Sequence, residues 1–111
     1  MIRQEGWNVS RYLVLYRANA SVWPVDPKQG LAVLEGALAG GDELLRTGAA
    51  KEIGWFTAQE GYAIFEADSK DKLLGMIHPF FPHYSQDVHE IVPWDQAKNA
   101  ILGSARQAAA R

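Results

Sequence analysis

Lys51–Ala67, KEIGWFTAQEGYAIFEA, decides how this chain folds. Two apolar, aromatic-rich runs flank the polar turn Gln59-Glu60-Gly61, a pattern that reads as a β-hairpin. In the first arm Ile53, Trp55 and Thr57 share one face, with Gly54 and Phe56 on the other. In the second, Tyr62, Ile64 and Glu66 oppose Ala63, Phe65 and Ala67, because side chains alternate along a strand.

Helical patterns lie on both sides of the hairpin. Upstream, Asp26-Pro27 offers an N-cap followed by proline at the first helical position. From Gly30 to Arg46, Leu31, Leu34, Leu38 and Leu45 keep near-helical spacing. Gly36, Gly40 and Gly41 each cost about 1 kcal/mol of helix propensity relative to Ala, so this helix depends on packing, and Gly40-Gly41-Asp42 is a candidate break. Gly48 is the expected C-terminal cap. Downstream, Ser69 caps a shorter helix whose apolar face is Leu73, Leu74, Met76 and Ile77, ending at Pro79.

The flanks supply two more strands. Arg11–Arg17, RYLVLYR, is apolar on both faces and reads as a strand buried on both sides. Ser85–Val92 is the fourth strand, with Val88, Glu90 and Val92 on one face and Asp87, His89 and Ile91 on the other. A terminal helix is expected over Asp95–Ala109, with a weak stripe of Ala97, Ala100, Ile101 and Ala105. Residues 1–9 read as a loosely docked arm.

At 111 residues the chain is sized for one domain, 1–111, with a modest core. Hydrophobic residues make up 48%, charged residues 22% and aromatics 11%, a globular profile. The net charge of -2 and the scattered bases leave no electrostatic footprint for nucleic acid or an anionic membrane. Without Cys, disulfides, thiolate metal sites and thiol nucleophiles are excluded. No apolar run approaches the ~20 residues that span a bilayer, and no signal-peptide core opens the chain, so a cytoplasmic protein is expected.

The order βαββαβ is the split-βαβ, ferredoxin-like arrangement: an α+β fold with a four-stranded antiparallel sheet and two helices on one face. Those helices cover only that face. Tyr12, Tyr16, Trp55 and Ile64 are expected on the other, where exposure would forfeit several kcal/mol at roughly 25 cal/mol per Å2. A homodimer packed sheet on sheet is the expected remedy.

The segments KEIGWFTAQEGYAIFEADSKDKLLGMI and HYSQDVHEIVPWDQA make residues 11–102 resemble a small, uncharacterised bacterial family of the dimeric α+β barrel superfamily. The resemblance implies two ferredoxin-like protomers whose sheets enclose a cleft. Members of the superfamily include muconolactone isomerases, cofactor-independent monooxygenases and haem-binding oxygenases, and fold likeness transfers none of these activities.

Candidate chemistry centres on a few side chains. His89 and Asp87 share a strand face, where a carboxylate near an imidazole orients it as a general base. The plain alternative is a pair of solvent-facing edge-strand residues. Tyr16, Trp55, Tyr62 and Glu66 are candidate ligand-binding residues, since apolar walls with a few polar tips make a small-molecule pocket. Their plain alternative is core and dimer packing, with Glu66 paired to Arg11 or Arg17. His78, His83 and His89 match no metal-binding spacing, and neither a metal nor a tightly held cofactor is expected. Three functions follow as expectations: a homodimer binding a small apolar or aromatic molecule between its sheets, an isomerase or cofactor-free monooxygenase acting there, or a purely structural dimer with no cavity.

Overall fold

A computed structural model describes residues 9–111. The expected N-terminal arm falls outside the described residues except for Val9. The elements are β1 (Ser10–Ala18), α1 (Pro27–Thr47), β2 (Ala50–Trp55), β3 (Glu60–Ala67), α2 (Lys70–Ile77), a 3-10 turn (His78–Phe80), β4 (Tyr84–Ile91) and α3 (Trp94–Ala109). All four strands join one antiparallel sheet in the order β2-β3-β1-β4. The α+β arrangement is compatible with a ferredoxin-like fold.

Local chemistry sets the ends of these elements. The Asp26 carboxylate accepts from the Lys28 amide at the start of α1, and the Ser69 hydroxyl accepts from the Lys72 amide at the start of α2. Gly48 closes α1 in the left-handed region, at φ 81°, and its amide donates to the Leu45 carbonyl. No break occurs at Gly40-Gly41-Asp42; α1 runs unbroken through them. The reason is close packing, since a Cβ on Gly40 would lie 3.0 Å from the Phe80 ring.

The core lies between the sheet and its two helices. Tyr12 and Val14 of β1, with Ala63 and Phe65 of β3, meet Leu73 and Ile77 of α2, and Leu73 is fully buried. Burying a Leu or Ile side chain contributes about 1.5–3 kcal/mol each. The expected placement of Tyr12, Tyr16 and Trp55 on the helix-free face is therefore overturned: Tyr12 is core, and Tyr16 and Trp55 line a cavity shared with α1 residues Ala37, Gly41 and Leu44. Small residues on α1 and β3 leave room that only large strand side chains fill. Ile64 alone of the four sits opposite, half-buried beside the β1 residue Leu13.

The hairpin also differs from its sequence reading. Its turn is Phe56–Gln59, with the Thr57 hydroxyl accepting from the Gln59 and Glu60 amides. Glu60 and Gly61 already belong to β3. Gly61 serves close approach instead, because Tyr16, its register partner on β1, lies across it. Tyr62 lies likewise across Gly54, on the opposite face of the sheet. A register shift between Ala50 and Glu52 returns Ile53 and Trp55 to the helix side.

Gly61→Ala and Gly54→Ala should each cost about 1–3 kcal/mol by overpacking against these rings. Gly36→Ala, on an α1 surface with open space around it, should gain about 1 kcal/mol. Urea unfolding monitored by circular dichroism measures all three.

Candidate functional site

A small open-mouthed cavity of about 70 Å3 lies between α1 and the sheet. Its walls are almost wholly apolar: Val14, Leu44, Ile53, Phe65 and Ile77, with Phe80 at one side. An engineered cavity of about 150 Å3 takes up benzene, so this one admits part of a single ring, and the rest of a ligand lies in its mouth. The gap exists because α1 presents Ala37 and Gly41 where larger side chains would fill it.

Aromatic rings frame the opening at right angles to one another. Tyr16 meets Trp55 edge-on at 5.1 Å and Tyr84 at 6.0 Å, while Trp23 meets Tyr84 at 5.7 Å. Edge-to-face contacts of this kind are worth about 0.5–1.5 kcal/mol beyond area burial and hold each ring in one orientation. The Tyr16 hydroxyl donates to the Gly54 carbonyl at 2.7 Å, reaching over β3 to the edge strand. Burial pushes this hydroxyl up to about 12, helped by the neighbouring phenols of Tyr84 and Tyr62.

Gln86 and Tyr84 border the cavity, which is lined chiefly by apolar atoms. Gln86 donates its amide nitrogen to the Ile77 carbonyl at 2.8 Å, which leaves its side-chain oxygen as an acceptor. Tyr84 is only 4% exposed, burial raises its pKa, and it also borders two neighbouring clefts. Its hydroxyl makes no hydrogen bond among the described residues.

The sequence candidates divide between the two faces of the sheet. Tyr16 and Trp55 belong to this cavity. Tyr62, Glu66, Asp87 and His89 lie on the helix-free face, in register with β1 residues Leu15, Arg11, Leu15 and Leu13 respectively. There Glu66 pairs with Arg11 at 3.3 Å and Lys51 at 3.6 Å. Tyr62 donates to the Glu52 carboxylate, and that bond, ahead of burial and charge, raises its pKa. His89 and Asp87 are exposed, and no hydrogen bond or ion pair joins them among the described residues. His83 meets Trp23 edge-on and His78 stacks on Phe81. Among the described residues no three His, Cys, Asp or Glu side chains converge as a metal site, and no helix is long and apolar enough to cross a membrane.

Tyr84, Gln86, Phe80 and Trp23 were not among the sequence candidates. One signal was available: in Tyr84-Gln86-Val88, alternation puts a polar amide on an otherwise apolar face. No protein-family model matches the chain, and no curated protein matches it in sequence.

The Tyr16 hydroxyl has a pH signature. An unfolded phenol titrates near 10.0, and the folded one near 12. The stability it contributes is complete below pH 10 and is lost as pH rises through 12. Tyr16→Phe should therefore cost about 1 kcal/mol at neutral pH and flatten the alkaline fall in stability, measured by urea midpoints from pH 8 to 12.

Proposed function

We propose that the chain is a homodimeric binding protein whose helix–sheet cavity takes a small, flat, largely apolar molecule bearing one hydrogen-bonding group. The observation that carries this reading is an almost wholly apolar cavity framed by aromatic rings, bordered by a Tyr84 whose hydroxyl makes no hydrogen bond among the described residues. Tyr84 and Gln86, two residues apart on β4, offer a donor and an acceptor beside the cavity's mouth, while Trp55 and Tyr16 supply ring surfaces. Binding there requires no cofactor. An α+β barrel pairing, in which two ferredoxin-like sheets face each other, supplies the dimer.

The helix-free face supports pairing, with less apolar material than the sequence suggested. Leu13, Leu15 and Ile64 form its centre, each half-buried. Ion pairs bound it at both ends: Arg11–Glu66–Lys51 at one, and Arg17–Glu60 at 2.9 Å at the other. Completing the burial of these aliphatic side chains on two protomers yields on the order of 5 kcal/mol. Association costs about 4–15 kcal/mol in lost freedom. Sheet pairing alone is thus marginal. An enzymatic role for His89 with Asp87 would arise only inside that pairing, since both lie on the far side of the sheet from the cavity.

Titration with 1-naphthol and naphthalene, followed by amide NMR shifts, tests the cavity. Shifts should map to Val14, Trp55 and Tyr84, with naphthol bound more tightly. Tyr84→Phe should weaken naphthol about fivefold, one net hydrogen bond, and leave naphthalene unchanged. Ala37→Phe should abolish both by filling the space. Equal affinity for the two compounds, or binding that survives Ala37→Phe, would remove this reading. Light scattering should give the mass of two chains at micromolar concentration, and Ile64→Lys should lower it.

A further inference from the structure

We infer that α3 docks along α1 of a second copy of this chain, against the stripe Leu31, Leu38 and Leu45. This rests on the homodimer reading and supplies the contact area that sheet pairing lacks.

Both partners in this contact are unsatisfied in the single chain. None of the α3 residues is buried, and Trp94 and Ile101 are 77% and 66% exposed. The helix packs extensively against no other element. On α1, Leu31, Leu38 and Leu45 are 55%, 45% and 43% exposed. A helix whose apolar face is bare gains little from propensity alone, because helical stability comes mostly from packing that face.

The two stripes match in spacing and length. Leu31, Leu38 and Leu45 recur every seventh residue, as do Trp94, Ile101 and Ala108. At about 1.5 Å per residue each stripe runs about 21 Å, and sevenfold spacing is what two helices crossing at a shallow angle present to each other. Charge is complementary too. Glu35 and Asp42 flank the leucine stripe with no ion-pair partner among the described residues, whereas Lys98 flanks Ile101 and is only loosely held, 3.9 Å from Asp95. Arg106 and Arg111 add to the positive end of the chain.

Placement in the fold points to a second copy as the occupant. Packing of α1 on the sheet is concentrated on the edge strand β2. Gly40 faces Phe80 and Gly41 faces Ile53 of β2. With about 100° between successive residues, the leucine stripe lies one step further round, looking out over the β2 edge. Meanwhile α3 leaves the sheet from β4, the opposite edge, after only Val92 and Pro93. Its own stripe is across the whole sheet. A twofold axis running along the strands of two facing sheets lays β4 of one over β2 of the other, so each α3 starts at the partner's β2 edge, the edge over which the leucine stripe looks.

The absence of cysteine from the chain makes disulfide trapping direct. An oxidised mixture of Leu38→Cys and Ile101→Cys chains should yield a mixed dimer in at least tenfold excess over either variant alone. The double variant should also trap as a dimer. A trapped monomer would show α3 folding back on its own α1 and overturn the inference, as would no trapping in the mixture. Ile64→Cys reports sheet pairing independently. Self-linking of Ile64→Cys without the Leu38–Ile101 bond sinks the α3 contact and leaves the sheet dimer standing; loss of both, with a monomer mass, sinks both. Glu35→Lys with Asp42→Lys should weaken the dimer at least tenfold, and Lys98→Glu should restore it in part. Failure of that rescue argues against the charge register. Circular dichroism confirms folding of each variant.

Discussion

Tyr16 laid flat across Gly61 is the contact on which the rest depends. Because Gly61 has no side chain, the ring crosses β3 and its hydroxyl reaches the Gly54 carbonyl on β2. One side chain thereby ties three strands together at the end of the sheet where the hairpin turns. It also turns the Tyr16 ring edge toward Trp55 and Tyr84, so the rim of the cavity is set by the same contact. A net hydrogen bond of about 1 kcal/mol is modest; its position, spanning the sheet, gives it reach.

The cavity itself follows from a mismatch in size. The face that α1 turns to the sheet is rich in glycine and alanine, and it meets aromatic rings from β1, β2, β4 and the 3-10 turn. Where the two sets interlock, at Gly40 against Phe80, packing is tight. Where they do not, beside Ala37 and Gly41, space remains. Glycines that cost helix propensity therefore remain because the helix must approach ring edges closely, the usual reason for a small residue at a helix interface.

Most of the element order was legible from residue patterns, because capping and alternation are local. Asp26, Ser69 and Gly48 end their helices as their chemistry demands, and β4 is displaced from its sequence reading by one residue at each end. Which face of β1 turns inward was not legible. Tyr12, Val14 and Tyr16 alternate with Leu13 and Leu15, and both sets are apolar; only the small residues contributed by α1 and β3 decide between them. Gly61 misled for a related reason, since a glycine beside polar residues looks like a turn when its need is for a neighbouring ring. The site suffered accordingly. Tyr16 and Trp55 were identified as residues of interest but assigned to the wrong side, and Tyr84 was hidden in a proline-rich turn whose strand began one residue earlier than expected.

On opposite faces of the hairpin, Tyr16 over Gly61 and Tyr62 over Gly54 form two interleaved couples, each ring resting on the backbone of the next strand. Enlarging either glycine evicts a ring, and shrinking either ring uncovers a bare peptide. Change at these four positions is therefore gated: viable descendants of this chain would have to alter both members of a couple together or neither, so this corner of the molecule is poorly placed to diversify.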